Sequence, residues 1–236
     1  MRFGERAGEY VDHAFLQRDL VEWGSRWLPD SLATAQVLEL GAGPGVLTRE
    51  LLARGAEVLA TDLAAGMVRA GEANFPQASW AVMDAWKPQG EYDLVCSSAL
   101  MQWAPDPAAV LTRMAGVLRP GGRMLHLFFT DPTLTEFRRL APAWNPFCWR
   151  THEQWSRAFD VAGLEVLREE AQTHRVIFSN ARELLRFFQR TGAVGRRRVP
   201  TGELRRFLGE YERHFREDNG VVSTWTFYRV EAFKPA

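Results

Sequence analysis

The 236-residue sequence contains little lysine: Lys87 and Lys234 are the only two, so arginine carries nearly all of the positive charge. The formal net charge is zero. A neutral chain has no overall field that draws it to nucleic acid or to an anionic membrane, and we expect neither as a partner. Clusters of arginine can still bind carboxylates and phosphates locally, through the bidentate guanidinium fork.

Cysteine is also scarce. Cys96 and Cys148 lie far apart in the sequence and fit no metal-binding or redox spacing, which predicts free thiols and no metal site. The first six residues include charges where a signal peptide needs an apolar run. No segment approaches the roughly 18 to 20 apolar residues that cross a bilayer. We therefore expect a cytoplasmic monomer with a single domain.

Strand and helix patterns alternate between residues 36 and 130. Continuous apolar strands separated by helices indicate a parallel sheet that is covered on both faces, which is a doubly wound α/β fold. The predicted strands are Gln36–Leu40, Glu57–Thr61, Trp80–Met83, Tyr92–Ser97 and Arg123–Phe129. The predicted helices are Val46–Ala53, Ala65–Ala73 and Pro107–Leu118, the last ended by an Arg-Pro-Gly-Gly turn.

The flanking regions complete a mostly parallel, seven-stranded sheet. Residues 1–30 are predicted to form a cap helix, 31–130 the ligand-binding core, and 131–236 a substrate-side half with a helical insertion at about 179–220. Such an insertion is where a doubly wound fold places a substrate lid. The elements predicted after residue 130 are the helices Thr151–Ala162, Ala181–Arg190 and Glu203–Phe215, an interrupted strand Leu164–Phe178, and a strand Val221–Ala232 that closes the sheet edge.

The segment Val37-Leu-Glu-Leu-Gly-Ala-Gly-Pro-Gly45 has the order strand, glycine-rich turn, helix. Gly41 and Gly43 let the backbone pass close to a ligand, and the following helix points its amide-rich end at that ligand. A glycine-rich turn also binds dinucleotides, but their spacing is Gly-x-Gly-x-x-Gly. Glu39 would repel a pyrophosphate and can attract an ammonium group, which favours a ligand with a methionine moiety.

Two further acids follow the next two predicted strands. Asp62 ends the second strand, where a carboxylate can accept from both ribose hydroxyls. Asp84 follows the third strand and can accept from an adenine amino group, while the amide of Ala85 can donate to the ring. Either acid alone could be a helix cap or part of a solvated loop. Three acids at three strand ends favour a nucleoside ligand.

These motifs resemble class I S-adenosylmethionine-dependent methyltransferases. That family carries Glu/Asp-x-Gly-x-Gly-x-Gly, an acid that closes strand two, and Leu-Arg/Lys-Pro-Gly-Gly before strand five. The resemblance covers about residues 36–130 and implies a Rossmann-like fold with S-adenosylmethionine as the cofactor. The cofactor pocket that it implies is lined by Glu39, Gly41, Ala42, Gly43, Asp62, Leu63, Met67, Asp84, Ala85 and Ser97.

Four other segments are similar to the malonyl-acyl-carrier-protein O-methyltransferases of biotin synthesis. The similarity implies methylation of the free carboxyl of malonyl-acyl carrier protein, giving its methyl ester and S-adenosylhomocysteine. The motifs of adenine-amino and cytosine methyltransferases are missing after strand four. Many related enzymes have histidine where Gln102 stands, and no role is carried over for residues 131–150. The four segments are Arg2-Phe-Gly to Gln17, Ala99-Leu-Met-Gln-Trp103, Leu184 to Ala193, and Tyr211 to Tyr228.

Tyr10, Gln102, Trp103 and Arg190 are the candidate residues for the acceptor site. The helix that carries Tyr10 can fold over the pocket as a lid, and Gln102 and Trp103 lie just beyond strand four. Arg190 can hold the malonyl carboxylate. Each of these side chains has a packing role as its alternative. The five histidines do not cluster with acids at metal-binding spacing.

Arginines recur every four residues at Arg182, Arg186 and Arg190 and therefore share one helix face. With Arg196, Arg197 and Arg198 they form either a solvated, salt-bridged surface or a docking surface for an acidic acyl carrier protein. Two other functions stay open. One is methylation of a free small acid, which needs no basic surface, and the other is a cofactor-binding module without turnover.

Overall fold

The computed structural model describes residues 15–191 and 199–235, and a single central sheet organises them. The strand order is β3-β2-β1-β4-β5-β8-β6, with β7 paired to β8. Strands β1 to β5 run parallel, and β8 is antiparallel to both β5 and β6. The predicted doubly wound, mostly parallel α/β fold is confirmed. The strands are β1 (Gln36–Leu40), β2 (Glu57–Asp62), β3 (Ser79–Val82), β4 (Tyr92–Ser98), β5 (Leu118–Thr130), β6 (Glu165–Phe178), β7 (Arg216–Glu217) and β8 (Gly220–Phe233).

Helices cover both faces of the sheet. Neighbouring residues of one strand enter different cores: Val37 lies in the core that includes buried residues of α1, α2, α5, α7 and α8, whereas Leu38 lies in the core that includes those of α4 and α6. A strand that is buried on both faces is apolar along its length, which is why the strands read as continuous apolar runs. The helices are α1 (Phe15–Gly24), α2 (Val46–Leu52), α3 (Ala65–Asn74), α4 (Pro107–Gly116), α5 (Thr135–Leu140), α6 (His152–Val161), α7 (Ala181–Thr191) and α8 (Thr201–Phe215).

The sheet departs from the sequence-based expectation at its far side. The described residues form eight strands rather than seven, because the two-residue β7 pairs with the start of β8. The strand that closes this edge is β6, and β8 lies between β5 and β6. The prediction that the strand at Val221–Ala232 closes the sheet edge is therefore wrong. In this interior strand Arg229 and Glu231 are buried, and the first pairs with Glu170 and the second with Arg123 and Arg168.

Two smaller features concern element ends. Strand β5 begins at Leu118, so the Arg-Pro-Gly-Gly segment belongs to the strand and does not precede it. Helix α6 begins with a capping box: Gln154 N donates to Thr151 Oγ1, and Thr151 N donates to Gln154 Oε1 at 3.0 Å. Within residues 15–191 and 199–235, no helix combines the length and the apolar character needed to cross a membrane.

Three arginines from different parts of the chain hold the carboxyl-terminal end of α1 and the turn at residues 25–27 that follows it. Arg229 donates to the carbonyl of Trp23 at 2.8 Å, Arg168 donates to that of Trp27 at 2.9 Å, and Arg54 donates to that of Ser25 at 3.3 Å. The Arg229 guanidinium also lies 4.2 Å from the ring centroids of both tryptophans. Cations are favourable at this end of a helix, so α1 is firmly fixed there.

Candidate active site

A cavity of about 470 Å³ opens at the carboxyl ends of the parallel strands, where doubly wound folds bind their ligands. We call the residues that follow β1, β2 and β3 the cofactor half, and the remaining lining residues the acceptor half. The cofactor half comprises Gly41, Gly43, Asp62, Leu63, Ala64, Met67, Asp84, Ala85 and Trp86. The acceptor half comprises Gln17, Ser98, Ala99, Leu100, Gln102, Trp103, Phe129, Leu134, Phe147, Trp149, Thr191 and Trp225.

The glycine-rich turn leaves space for a ligand at Gly43. This residue has a φ of +57°, which favours glycine, and a Cβ added there would meet no protein atom within 4 Å. The space that a side chain would fill is therefore part of the cavity. At Gly41, with a φ of +66°, an added Cβ would instead lie 2.9 Å from the Leu100 side chain. The turn is thus packed on one side and open on the other.

Asp62 is held in place by backbone amides at the end of β2. Its Oδ2 accepts from Gly43 N at 3.0 Å and its Oδ1 accepts from Ala64 N at 2.8 Å. Burial raises the pKa of this carboxyl, and the two amide hydrogen bonds oppose that shift. Each oxygen keeps acceptor capacity. The geometry therefore fits a ligand that offers two hydroxyl groups, as a ribose does.

Glu39 lies behind the cavity wall rather than on it. Its side chain is 1% exposed, and Thr48 Oγ1 donates to its Oε2 at 2.6 Å. The pKa of Glu39 is raised to about 8: burial raises it most, the hydrogen bond from Thr48 partly opposes the rise, and the charge of Asp62 adds to it. A cation close to this carboxyl would stabilise its ionised form, which fits the ammonium group of the predicted cofactor.

The part of the cofactor half that follows β2 and β3 combines a carboxylate with an apolar surface. Asp84 Oδ1 accepts from Trp86 N at 3.0 Å, so the carboxylate is oriented beside Ala85 at the end of β3. Leu63 lines the cavity with 72% of its surface exposed. An exposed leucine at a strand end supplies a flat apolar contact for an aromatic ring, and the neighbouring carboxylate can accept from an amino group on that ring. These residues fit adenine.

Besides Glu39, two predicted pocket residues lie outside the lining. Ala42 is buried, and its N–H donates to the carbonyl of Thr61 at 2.8 Å, which ties the turn to β2. Ser97 is fully buried on β4 with its Oγ 2.8 Å from His126 Nδ1, and burial lowers the pKa of that histidine to about 3. Its neighbour Ser98 lines the cavity instead.

Aromatic rings form one wall of the acceptor half. The ring centroids of Trp103 and Phe147 are 4.3 Å apart, and those of Phe147 and Trp149 are 4.6 Å apart. Arg150 fixes the segment that carries Phe147 and Trp149 to the loop after β4 by donating to the carbonyl of Ala104 at 3.1 Å. The segment therefore completes an apolar surface that begins at the end of β4.

Three polar atoms of the acceptor half are buried without a hydrogen-bond partner in the described chain: Gln17 Oε1, Gln102 Oε1 and Trp225 Nε1. Gln102 Nε2 donates to the carbonyl of Ala99 at 2.8 Å, which fixes the orientation of its amide. Buried polar atoms are normally paired, so unpaired ones in a cavity wall indicate a ligand that pairs with them.

The chain matches the family model described as "Methyltransferase domain" over residues 12–194. It belongs to this methyltransferase family. The predicted class, a class I S-adenosylmethionine-dependent methyltransferase, and the predicted cofactor are thereby confirmed.

Curated relatives of this methyltransferase fall into two groups. It is 32% identical, over 99% of its length, to the biotin biosynthesis bifunctional protein BioHC of Cellvibrio japonicus, of which it spans about half (49%). It is 25% identical to a malonyl-[acyl-carrier protein] O-methyltransferase of Paenibacillus, over 96% of this chain and 94% of the relative. A trans-aconitate 2-methyltransferase of Azoarcus is 41% identical, but over only 37% of this chain and 36% of the relative.

Solved structures agree on the fold of the methyltransferase. One is the magnesium protoporphyrin IX methyltransferase of Synechocystis with bound SAH, which superposes with a TM-score of 0.61 over 92% of this chain and 83% of its own. The two sequences are 16% identical. At this identity the likeness shows the shared fold.

The methyltransferase cavity includes some predicted acceptor residues and several that the sequence did not indicate. Gln102 and Trp103 line it. Tyr10, Arg196, Arg197 and Arg198 lie outside the described residues, as does the side chain of Arg190. Gln17 and Trp225 occur in the segments that resemble the malonyl-carrier enzymes, which was the available signal for them. Thr191 lies in such a segment as well, whereas Leu134, Phe147 and Trp149 carried no such signal.

Proposed function

We propose that this methyltransferase methylates the free carboxyl of malonyl-acyl carrier protein, a reaction of biotin precursor synthesis. The observation that carries the proposal is the extent of the similarity. Three proteins named as malonyl-carrier methyltransferases match 95% to 98% of this chain and a fourth matches 64%, whereas two named as trans-aconitate methyltransferases match 36% and 37%. The acceptor half takes residues from Gln17 to Trp225, so similarity over the whole chain bears on it more directly.

The residues of the cofactor half are suited to hold S-adenosylmethionine. In the proposed arrangement, Asp62 accepts from the ribose hydroxyls, Asp84 and Leu63 contact the adenine, and Glu39 faces the ammonium from behind the glycine-rich turn. When bound, the cofactor supplies a methyl group on a positively charged sulfur. The turn at Gly41 and Gly43 allows the close approach that this placement needs.

The acceptor half supports a reaction that needs no general base. A malonyl carboxylate is already ionised at neutral pH, but it is a weak nucleophile when water surrounds it. The aromatic wall of Trp103, Phe147 and Trp149 removes that water, and the enclosed cavity aligns the carboxylate oxygen with the methyl group. The oxygen–carbon bond forms as the carbon–sulfur bond breaks. The opposite charges of the reactants cancel, so a water-free site favours the transition state.

The acceptor is tested by measuring methyl incorporation with malonyl-acyl carrier protein, malonyl-coenzyme A, free malonate and trans-aconitate side by side. We expect the highest kcat/KM for malonyl-acyl carrier protein and no ester from acetyl-acyl carrier protein, which lacks the free carboxyl. Preference for a free acid would support the small-acid alternative. Absence of transfer to all of these acceptors would contradict the proposal.

Docking of the acidic carrier protein is assigned, within this proposal, to the exposed face of α7. Arg182 and Arg186 are exposed there, although Arg186 forms an ion pair with Glu183 on the same helix. Replacing both arginines by glutamate should lower kcat/KM for malonyl-acyl carrier protein at low salt far more than for malonyl-coenzyme A. The loss should shrink as salt shortens the Debye length from about 10 Å at 0.1 M to 3 Å at 1 M.

The matched control reverses the same number of charges on the opposite face of the sheet. Arg113 on α4 and Arg157 on α6 are both exposed, and their helices pack on the other core. Changing both to glutamate should leave the preference for carrier protein intact. Equal losses in the two double variants would assign the effect to net charge and contradict docking at α7.

A further inference from the structure

Trp225 places a buried donor without a partner in the wall of the acceptor half. Its side chain is 4% exposed, and Nε1 has no hydrogen-bond partner in the described parts of the chain. The indole N–H can only donate, so its complement is an oxygen that accepts. Because the residue lines the cavity, a bound molecule can supply that oxygen.

The rings around Trp225 hold the indole in one orientation. Phe129 of β5 packs edge-on with its ring centroid 5.3 Å away, and Phe187 and Phe188 of α7 lie at 5.8 and 6.0 Å. Three neighbouring rings restrict rotation of the indole and so favour one direction of its N–H. The donor direction is therefore set by the apolar core.

The backbone on both sides of Trp225 is equally constrained. The Glu136 carboxylate accepts from the N–H of Thr224 at 2.8 Å and from its hydroxyl. The N–H of Thr226 donates to Thr133 Oγ1 at 2.9 Å. These bonds fix β8 to the segment after β5. A donor positioned in this way before the ligand arrives orients that ligand without reorganisation.

Two other donors of the acceptor half are already engaged, and two of its unpaired atoms are acceptors. Thr191 Oγ1 donates to the carbonyl of Phe187 at 2.9 Å, and Trp149 Nε1 donates to Asn145 Oδ1 at 3.0 Å, so their hydrogens are in use. The unpaired atoms of Gln17 and Gln102 are acceptors, which repel a carboxylate oxygen. Among the described lining residues there is no lysine, arginine or histidine.

We propose that the indole N–H of Trp225 donates to one oxygen of the acceptor carboxylate and so orients the other oxygen toward the methyl group. The inference rests on the proposed function, because it takes a carboxylate as the acceptor. A guanidinium fork would engage both oxygens and stabilise the charge that must attack. A single neutral donor holds one oxygen and leaves the second with its lone pairs free.

The test compares Trp225→Phe with the unmodified chain. The kcat/KM for malonyl-acyl carrier protein should fall about ten- to hundredfold, the range expected when a hydrogen bond to a charged group is lost. The dissociation constant of S-adenosylmethionine, measured by calorimetry, should change less than twofold. Trp155→Phe is the control: Trp155 is buried against Phe128 in the other core, with ring centroids 4.6 Å apart. It removes the same atoms, and kcat/KM should stay within about threefold.

A second measurement decides the matter if Trp225→Phe does not fold. In the unmodified chain labelled with nitrogen-15 tryptophan, one slowly exchanging indole proton should move downfield when malonyl-acyl carrier protein binds together with S-adenosylhomocysteine. No such shift, or equal kcat/KM in Trp225→Phe and the unmodified chain, would overturn this inference and leave the proposed function standing. No ester formation by the unmodified chain would overturn both.

Discussion

The cofactor half and the acceptor half of the cavity differ in how far apart their residues lie along the chain. The cofactor half spans residues 41–86 and comes from three successive strand ends. Its carboxylates are already paired with backbone amides at Gly43, Ala64 and Trp86. The acceptor half draws on residues from Gln17 to Trp225, and three of its polar atoms have no partner in the described chain.

This difference shows two ways of building a binding site. Local turns fix the first half, and their hydrogen bonds exist before any ligand binds. The second half depends on tertiary packing, and its polar atoms become paired only when a molecule enters. Substitutions in the cofactor half, or directly behind it, should therefore change the affinity for the cofactor or the ionisation of one buried group. Substitutions in the acceptor half should change kcat/KM for the acceptor.

The largest expected effect is the loss of folding stability that follows when the buried carboxyl of Glu39 ionises at higher pH. Because its pKa rises from 4.5 to about 8 on folding, the folded chain holds the proton more tightly than the unfolded chain. The contribution of Glu39 to the free energy of unfolding is therefore largest below about pH 4.5. It falls as the pH rises to about 8 and stays constant above that pH. In urea unfolding without cofactor, Glu39→Gln should reduce this fall, which for one proton is at most about 1.4 kcal/mol per pH unit.

The control for Glu39 is Glu72→Gln, which changes an exposed glutamate on α3. It should reproduce the pH dependence of the unmodified chain. Parallel curves for Glu39→Gln and the unmodified chain between pH 5 and pH 8 would show that Glu39 does not titrate in this way.

A smaller effect should follow from Asp62→Ala. The dissociation constant of S-adenosylmethionine should rise tenfold or more, since a lost charge-assisted hydrogen bond is worth about 1.5–3 kcal/mol. Calorimetric titration measures this directly. Asp62→Asn keeps the shape of the side chain and should give an intermediate loss. Unchanged affinity in Asp62→Ala would remove Asp62 from the cofactor site.

The smallest expected effect concerns the acceptor half, where a substitution should change acceptor turnover and leave cofactor affinity unchanged. Phe147→Ala removes the ring that contacts both Trp103 and Trp149, and aromatic pairs contribute about 0.5–1.5 kcal/mol beyond burial. The kcat/KM for the methyl acceptor should fall several-fold, while the affinity for S-adenosylmethionine stays within about twofold. Phe215→Ala, which truncates a ring outside the cavity lining, should leave both constants unchanged. Weaker cofactor binding in Phe147→Ala would mean that the two halves are coupled.

How much of the site the sequence could predict follows from the same contrast. Gly41, Asp62 and Asp84 belong to short motifs with fixed places relative to their strands, so their position in the wall followed from the motif. Ser97 was predicted to line the pocket, but successive side chains of a strand face opposite sides, and a shift of one residue gives Ser98. Contact between these residues and the cofactor stays a prediction.

The acceptor half was less accessible to sequence reasoning for a physical reason. Trp225 reaches the cavity because β8 lies inside the sheet, and the sequence placed that strand at the edge. Arg229 and Glu231 of this strand are buried in ion pairs with residues on β5 and β6. Pairings between distant strands leave no local pattern, so they could not be read from one segment.

Because α1 is held at its carboxyl-terminal end, a rotation there would displace the other end of the helix, which reaches the cavity. Its carboxyl-terminal end is fixed by three arginines, and Gln17, seven residues before Gly24, reaches the cavity wall. At 1.5 Å per residue the intervening part of the helix is about 10 Å long. A rotation of about 10° at the anchored end would therefore displace Gln17 by about 2 Å, enough to make or break a hydrogen bond. Loss of the Arg229 side chain, which contacts the anchored end, would thus act on an atom that Arg229 does not touch.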